Sequence, residues 1–289
     1  MCRLALMNAN ILQVLSQQDL ANLFMYLEKV QGGDGNGVAA LWQETARVKI
    51  RKGITLTTAQ AAQHLVAFSQ AQADWLLYHT RLASSGHPTT RNCHPFQAGK
   101  LALAHNGHDK TWASLGRRLG ITDSEFITRM WGRLSLPLET LMNVEGVFLG
   151  FHGSFPFVVK SRYFTDLVLA VNRSAGALLF VSQLPQVYRN RFDEVIELGH
   201  FMWLGVSPLD LDRLTRPRWE NSNHLANPPA RPEHDLSSAN RRRSTEAAEL
   251  TIEELRAFLE KVEARQKNSA SAPVSAPLPS LPSSSDPTA

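Results

Sequence analysis

The chain has 289 residues, 43% of them hydrophobic and 8% aromatic, with 30 basic and 26 acidic side chains for a net charge of +4. That is a globular profile with room for one large domain or two small ones; so slight a basic excess does not argue for a nucleic-acid binder without a clustered patch, and the run Arg241-Arg242-Arg243 reads as a solvated linker charge. Two cysteines cannot build a disulfide framework, and no apolar run reaches the ~18 residues of a spanning helix, so a reducing, cytoplasmic setting without membrane insertion is expected.

Cys2 to Met7 reads as a strand, and because the first residues lack a basic region followed by a long apolar stretch, no signal peptide is expected. SQQDLANLFMYLEKV predicts an amphipathic helix with Leu20, Leu23, Phe24, Leu27 and Val30 on one face. GGDGNG ends it. VAALW and ARVKIRK predict a hairpin, and a second helix is expected over about Thr58 to Gln70. WLLYHTRLA and KLALAHNG read as strands, and two or three short helices cover Trp112 to Met142. After Gly146 come strand patterns in VFLGFH, FPFVVKS, LVLAVN, ALLFVS and MWLGV. Strands, then helices, then strands suggest an α+β layered fold and not a repeating βαβ wind.

The remainder differs. Arg216 to Ser244 is rich in Pro, Asn and Arg and reads as linker. TIEELRAFLEKVEARQK follows, with a capping-box pattern at Thr251 and Glu254 and an apolar stripe of Leu255, Phe258, Leu259 and Val262. From Asn268 on, Pro, Ser and Ala dominate, and such a segment buries too little apolar surface to order itself. The expected division is therefore a domain over 1–206 and, over 207–289, a linker, a short helix at about 251–267 and a disordered tail.

Cys2 follows the initiator Met1. Removal of Met1 would place a thiol and a free α-amine on one residue. An α-amine titrates at about 7.7 to 8.0, which makes it a usable base near neutral pH for an N-terminal nucleophile. Elsewhere, Arg81 closes an apolar strand, Asn106-Gly107 closes another, and Asp123 opens a helix. Each has an ordinary structural alternative: an ion pair for Arg81, a turn for Asn106-Gly107, a helix cap for Asp123.

Taken in order, the segments resemble the class II glutamine amidotransferase domain, an N-terminal nucleophile hydrolase. The family opens Met-Cys-Gly or Met-Cys-Arg, matched by Met1-Cys2-Arg3. Its Arg-Gly-x-Asp-Ser-x-Gly is matched in register by Gln31 to Gly37, and its His-Thr-Arg-x-Ala-Thr-x-Gly by His79 to Gly86. Asn92-Cys93-His94-Pro95, His105-Asn106-Gly107 and Asp123-Ser124-Glu125 match three further motifs, and LLFVSQLPQV is similar to a later family strand. The likeness covers about residues 2 to 206.

The resemblance implies a four-layer αββα sandwich and a glutaminase reaction. Cys2 would attack the side-chain amide of L-glutamine, release ammonia and leave a glutamyl thioester for water to hydrolyse. Asn106 and the Gly107 N–H would hold the oxyanion. Arg81 would clamp the substrate α-carboxylate, with Ser84 able to donate a hydrogen bond nearby, and Asp123 would pair with the α-ammonium. Gln31 and Gly35 depart from the family's arginine and serine, Leu82 from a tryptophan of some members, and Ser84-Ser85 from a common Thr-His. No cofactor and no metal are expected, because the ten histidines lack ligand spacing and Cys93 reads as an ordinary thiol. No phosphate-binding loop motif and no second domain of useful size is expected after Val206, so the ammonia acceptor is expected on a separate synthase subunit. The rival readings are hydrolysis of another amide or γ-glutamyl compound, and a catalytically silent scaffold.

Overall fold

A computed structural model describes residues 2–84, 86–161 and 167–206, all within the compact unit Met1–Glu220. The expected linker, helix at about 251–267 and tail lie outside the described residues.

The first sheet has seven strands, in the order β11-β9-β10-β1-β4-β2-β3. These are β1 (Arg3–Asn8), β2 (Asn36–Trp42), β3 (Arg47–Gly53), β4 (Trp75–Thr80), β9 (Val168–Asn172), β10 (Ala177–Val181) and β11 (Glu194–Glu197). The second sheet runs β12-β8-β7-β6-β5, formed by β5 (Phe96–Ala98), β6 (Leu101–Asn106), β7 (Val147–His152), β8 (Phe155–Lys160) and β12 (Phe201–Leu204). Neighbouring strands in both sheets are antiparallel.

Alternation along the strands builds the layers. On β1, Ala5 and Met7 face one apolar cluster, shared with Leu20, Leu23, Phe24 and Leu27 of α1 (Gln17–Gln31) and Leu65 and Phe68 of α2 (Thr58–Gln70). Leu4 and Leu6 face a second cluster, shared with Ala102 and Ala104 of β6 and Leu149 of β7. A strand buried on both faces has no polar side to show, which is why WLLYHT and RLAL read as continuous apolar runs. The helices α3 (Lys110–Arg118) and α4 (Asp123–Leu134) pack together, and α4 lies on β5 and β6. The layers are thus helix, sheet, sheet, helix.

Most expected elements are present, and the Thr58–Gln70 helix agrees at both ends. Three differences have physical causes. Val30 is 38% exposed, because the apolar stripe of α1 ends with Leu27. The strand expected over WLLYHTRLA stops at Thr80, where the Arg81 N–H turns to the Gly35 carbonyl at 2.8 Å. β5, β11 and the one-turn α5 (Gln186–Arg189) were not expected; each spans at most four residues, too short to show a period.

Candidate active site

β1 is the middle strand of the first sheet, and Cys2 sits just before it. Register pairs Arg3 with Thr80 and Leu4 with His79, which sets Cys2 beside Arg81. From the second sheet, the His105 carbonyl lies 3.2 Å from His79 Nε2, so the C-terminal end of β6, with Asn106, meets the end of β4. Ser124 Oγ lies 3.0 Å from His105 Nδ1 and brings the first turn of α4, with Asp123, to the same place. Cys2, Arg81, Asn106, Gly107 and Asp123 thus share one end of the sandwich. Ser84 is exposed and does not join the buried cluster.

Cys2 is 8% exposed. Its Sγ accepts from the Leu82 N–H at 3.4 Å and lies 3.6 Å from the Leu82 carbonyl. Burial pushes its thiol up from the ordinary cysteine value; the Leu82 backbone contact and the Arg81 charge pull it down, and Asp123 adds to the rise. Both charges therefore act on the sulfur. Arg81 is buried and donates to the carbonyls of His87 at 3.3 Å and Gly86 at 3.4 Å.

The loop after α1 locks onto the exit of β4. Asp34 N donates to the Arg81 carbonyl at 2.9 Å, and Asp34 Oδ2 accepts from the Ala83 N–H at 2.7 Å. This role of Asp34 was not read from the sequence, although GGDGNG was recognised; a carboxylate among glycines is the signal for a loop-tying acceptor.

Asn106 is fully buried, and neither its Oδ1 nor its Nδ2 has a hydrogen-bond partner among the described residues. Gly107 follows at a close approach. A Cβ there would come within 2.4 Å of the Glu145 carbonyl and 2.5 Å of His105 Nε2, so no larger residue fits.

Asp123 is not the cap of α4. Thr122 is, its Oγ1 accepting from the Glu125 N–H at 3.1 Å. Asp123 is 4% exposed, and its Oδ1 accepts from the Ser124 N–H at 2.9 Å. Its Oδ2 has no hydrogen-bond partner among the described residues; His108 Nδ1 lies 3.6 Å away.

Three buried histidines form the floor. The rings of His79 and His94 lie 4.0 Å apart, and His105 stacks on Phe148 at 4.4 Å. Burial lowers all three below the ordinary histidine value, His79 to about 3. They are neutral at physiological pH. Among the described residues, no group of three or more His, Cys, Asp or Glu is placed to hold a metal ion. Nor is any helix there long and apolar enough to cross a membrane.

No family model matches the chain. It is 29% identical over 190 residues to the glutamine–fructose-6-phosphate aminotransferase (isomerizing) of Mycobacterium bovis, covering 58% of this chain and 30% of that protein. The enzyme of the same name from Buchnera aphidicola is 22% identical over 182 residues, covering 58% and 29%. That from Mycolicibacterium paratuberculosis is 34% identical over 98 residues, covering 33% and 16%. The chain therefore spans about 30% of the length of the first of these relatives. Similar solved structures include the allosteric regulatory enzyme of purine biosynthesis, at TM-score 0.46 and 16% identity over 68% of this chain and 45% of that one. A glutamine aminotransferase class-II domain protein from Silicibacter pomeroyi has TM-score 0.41 and 14% identity, covering 68% and 90%.

The αββα layering agrees with the fold expected from the resemblance to the class II glutamine amidotransferase domain, and the sequence relatives named above are glutamine–fructose-6-phosphate aminotransferases.

Proposed function

We propose that residues 2–206 form a glutaminase that releases ammonia from L-glutamine for a separate acceptor-binding synthase. The observation that carries this reading is the pair of unsatisfied groups at the Cys2 end of the sandwich. The Asn106 amide and Asp123 Oδ2 are buried without a hydrogen-bond partner among the described residues. Leaving such a group unpaired costs about 1 to 3 kcal/mol, a cost that a bound ligand removes.

In this reading, removal of Met1 frees the Cys2 α-amine, which takes the thiol proton. Sγ bonds to the glutamine side-chain carbonyl carbon, and the carbonyl electron pair moves to oxygen. The Asn106 Nδ2 and the Gly107 N–H donate to that oxyanion; donors of this kind are each worth about 3 to 4 kcal/mol. Collapse breaks the C–N bond, and the amide nitrogen leaves as ammonia with the proton from the α-amine. Water then attacks the thioester, releases glutamate and returns the thiol. Arg81 takes the substrate α-carboxylate and Asp123 its α-ammonium, a pair that selects a free amino acid over a peptide. Ser84, exposed three residues after Arg81, is the remaining proposed substrate contact, through its hydroxyl.

The chain's relatives are glutamine-using aminotransferases about three times as long as the matched stretch, which supports an ammonia acceptor held outside residues 2–206. The test is stoichiometric release of ammonia and glutamate by purified protein supplied with glutamine, before and after candidate synthases are added. Absence of both products, in protein whose first residue is Cys2, overturns the proposal.

A further inference from the structure

Away from that site, a groove of about 530 Å³ opens between α4, the edge strand β5 and the segment linking β4 to β5. Its walls carry four cations: Lys52 from β3, Arg91 from the turn before β5, and Arg129 and Arg133 from α4. Among the described residues, Glu125 is its sole carboxylate. Three chain segments bring like charges into one concavity, and Arg129 and Arg133 repel at i,i+4 spacing. A solvated surface has no need of that concentration.

The groove wall answers the charge only in part. Glu125 Oε1 pairs with Arg129 Nη2 at 2.5 Å, and Oε2 stands 3.8 Å from Arg91 Nε. Glu125 is 8% exposed and fixed in the first turn of α4 by the Thr122 cap, and it is one carboxylate among four cations. Lys52 donates to the Cys93 carbonyl at 2.7 Å and lies over the Phe96 ring at 4.4 Å. Its hydrogen bonds go to the carbonyl oxygens of Arg91 and Cys93, which carry no net charge. Partial burial pulls Lys52 below the ordinary lysine value, against the opposing pull of the Glu125 charge.

α4 can lie this close to β5 because position 132 is glycine. A Cβ on Gly132 would stand 2.1 Å from the Ala98 carbonyl. The concavity is therefore set by backbone packing and not by side-chain conformations. Its volume falls in the range of small-molecule sites, and guanidinium forks match planar or tetrahedral oxyanions.

We propose that this groove binds a small multivalent oxyanion, phosphorylated or polycarboxylic, at a site separate from the Cys2 end. The inference does not depend on the glutaminase reading. The probes are inorganic pyrophosphate and citrate, titrated by calorimetry into the full chain at fixed ionic strength. Pyrophosphate alone identifies phosphoryl chemistry, and citrate alone identifies carboxylate chemistry. Saturable binding of at least one, on the order of 1 mM or tighter, is expected. Arg91→Ala with Arg133→Ala should weaken it by about tenfold or more, since each removes a charge-assisted contact. Both side chains are exposed, so an unchanged melting temperature verifies the fold. Arg117→Ala with Arg118→Ala removes the same charge from the exposed end of α3, outside the groove, and should leave binding within twofold of the parent, as expected of distant exposed charges. Failure of both probes to saturate, or equal loss in the two double variants, overturns the proposal.

Discussion

His105 Nδ1 lies 3.0 Å from Ser124 Oγ, and the opposite ring nitrogen, Nε2, lies 3.0 Å from the Glu145 carbonyl. A carbonyl only accepts, so Nε2 carries the proton of the neutral ring and Nδ1 accepts from the Ser124 hydroxyl. One hydrogen bond thereby ties the end of β6, where Asn106 stands, to the first turn of α4, where Asp123 stands. In the proposed reaction it sets the distance between oxyanion holder and ammonium partner. Ser124→Ala should raise KM for glutamine about 5- to 10-fold, a cost near 1 kcal/mol, while Ser124→Thr retains part of the affinity. Steady-state kinetics of the two variants check this; equal KM in both and in the parent refutes it.

Asn106→Ala separates activity from stability. Loss of one oxyanion donor should lower kcat about 10²- to 10³-fold with little change in KM. The same change removes a buried amide that has no partner among the described residues, so the melting temperature should hold steady or rise. Calorimetry and a glutamine assay on one preparation test both halves. A large fall in melting temperature would instead mark Asn106 as structural.

Arg81→Lys keeps the charge but loses the planar fork, and glutamine binding should weaken by about 1 to 3 kcal/mol, roughly 5- to 150-fold. Asp123→Asn should weaken it to a similar degree. If neither moves kcat/KM, the substrate is not a free α-amino acid.

The nucleophile assignment depends on maturation. Active protein should begin at Cys2, as read by intact mass. Retention of Met1 on fully active material contradicts the amine-as-base step. Cys2→Ser should abolish turnover, since an alkoxide is far harder to generate with that amine.

Acid should destabilise the fold through the buried histidines. His79, His94 and His105 are all lowered by burial, His79 to about 3. Unfolded, each titrates near 6.5. Below about pH 6.5 the unfolded chain therefore binds more protons than the folded one, and stability falls as pH drops toward each folded value. Above pH 6.5 both states are neutral and the effect vanishes. The slope is about 1.4 kcal/mol per pH unit for each histidine titrating only when unfolded. Urea melts at pH 7.5, 6.0 and 5.0 measure it. His79→Gln should flatten the slope if it folds; if it does not, the parent's slope alone decides.

Much of the layering was legible because period and composition act locally. The expected bounds of α2 agree with the structure, where Thr57 and its capping partner Gln60 start the helix with a reciprocal hydrogen-bond pair within one turn. β1, β4 and β6 announced themselves as apolar runs because burial on both faces demands it. The short β5 and β11 carried no such signal. They exist because β6 and β9 offer them an edge.

The residue types of the candidate site were likewise readable, in order, from Cys2 to Asp123. Their convergence was not. It rests on the register that sets Leu4 against His79, and on contacts from His79 to His105 and from His105 to Ser124. The Leu82 N–H that meets Cys2 Sγ belongs to the backbone and leaves no trace in residue type. Both Thr122 and Asp123 are buried; that Asp123 lies inside the helix, with Thr122 as the cap, was decided by which side chain the Glu125 N–H meets. Sequence determines what each segment buries. The packing of the two sheets determines which buried polar groups meet, because that depends on register across strands far apart in the chain.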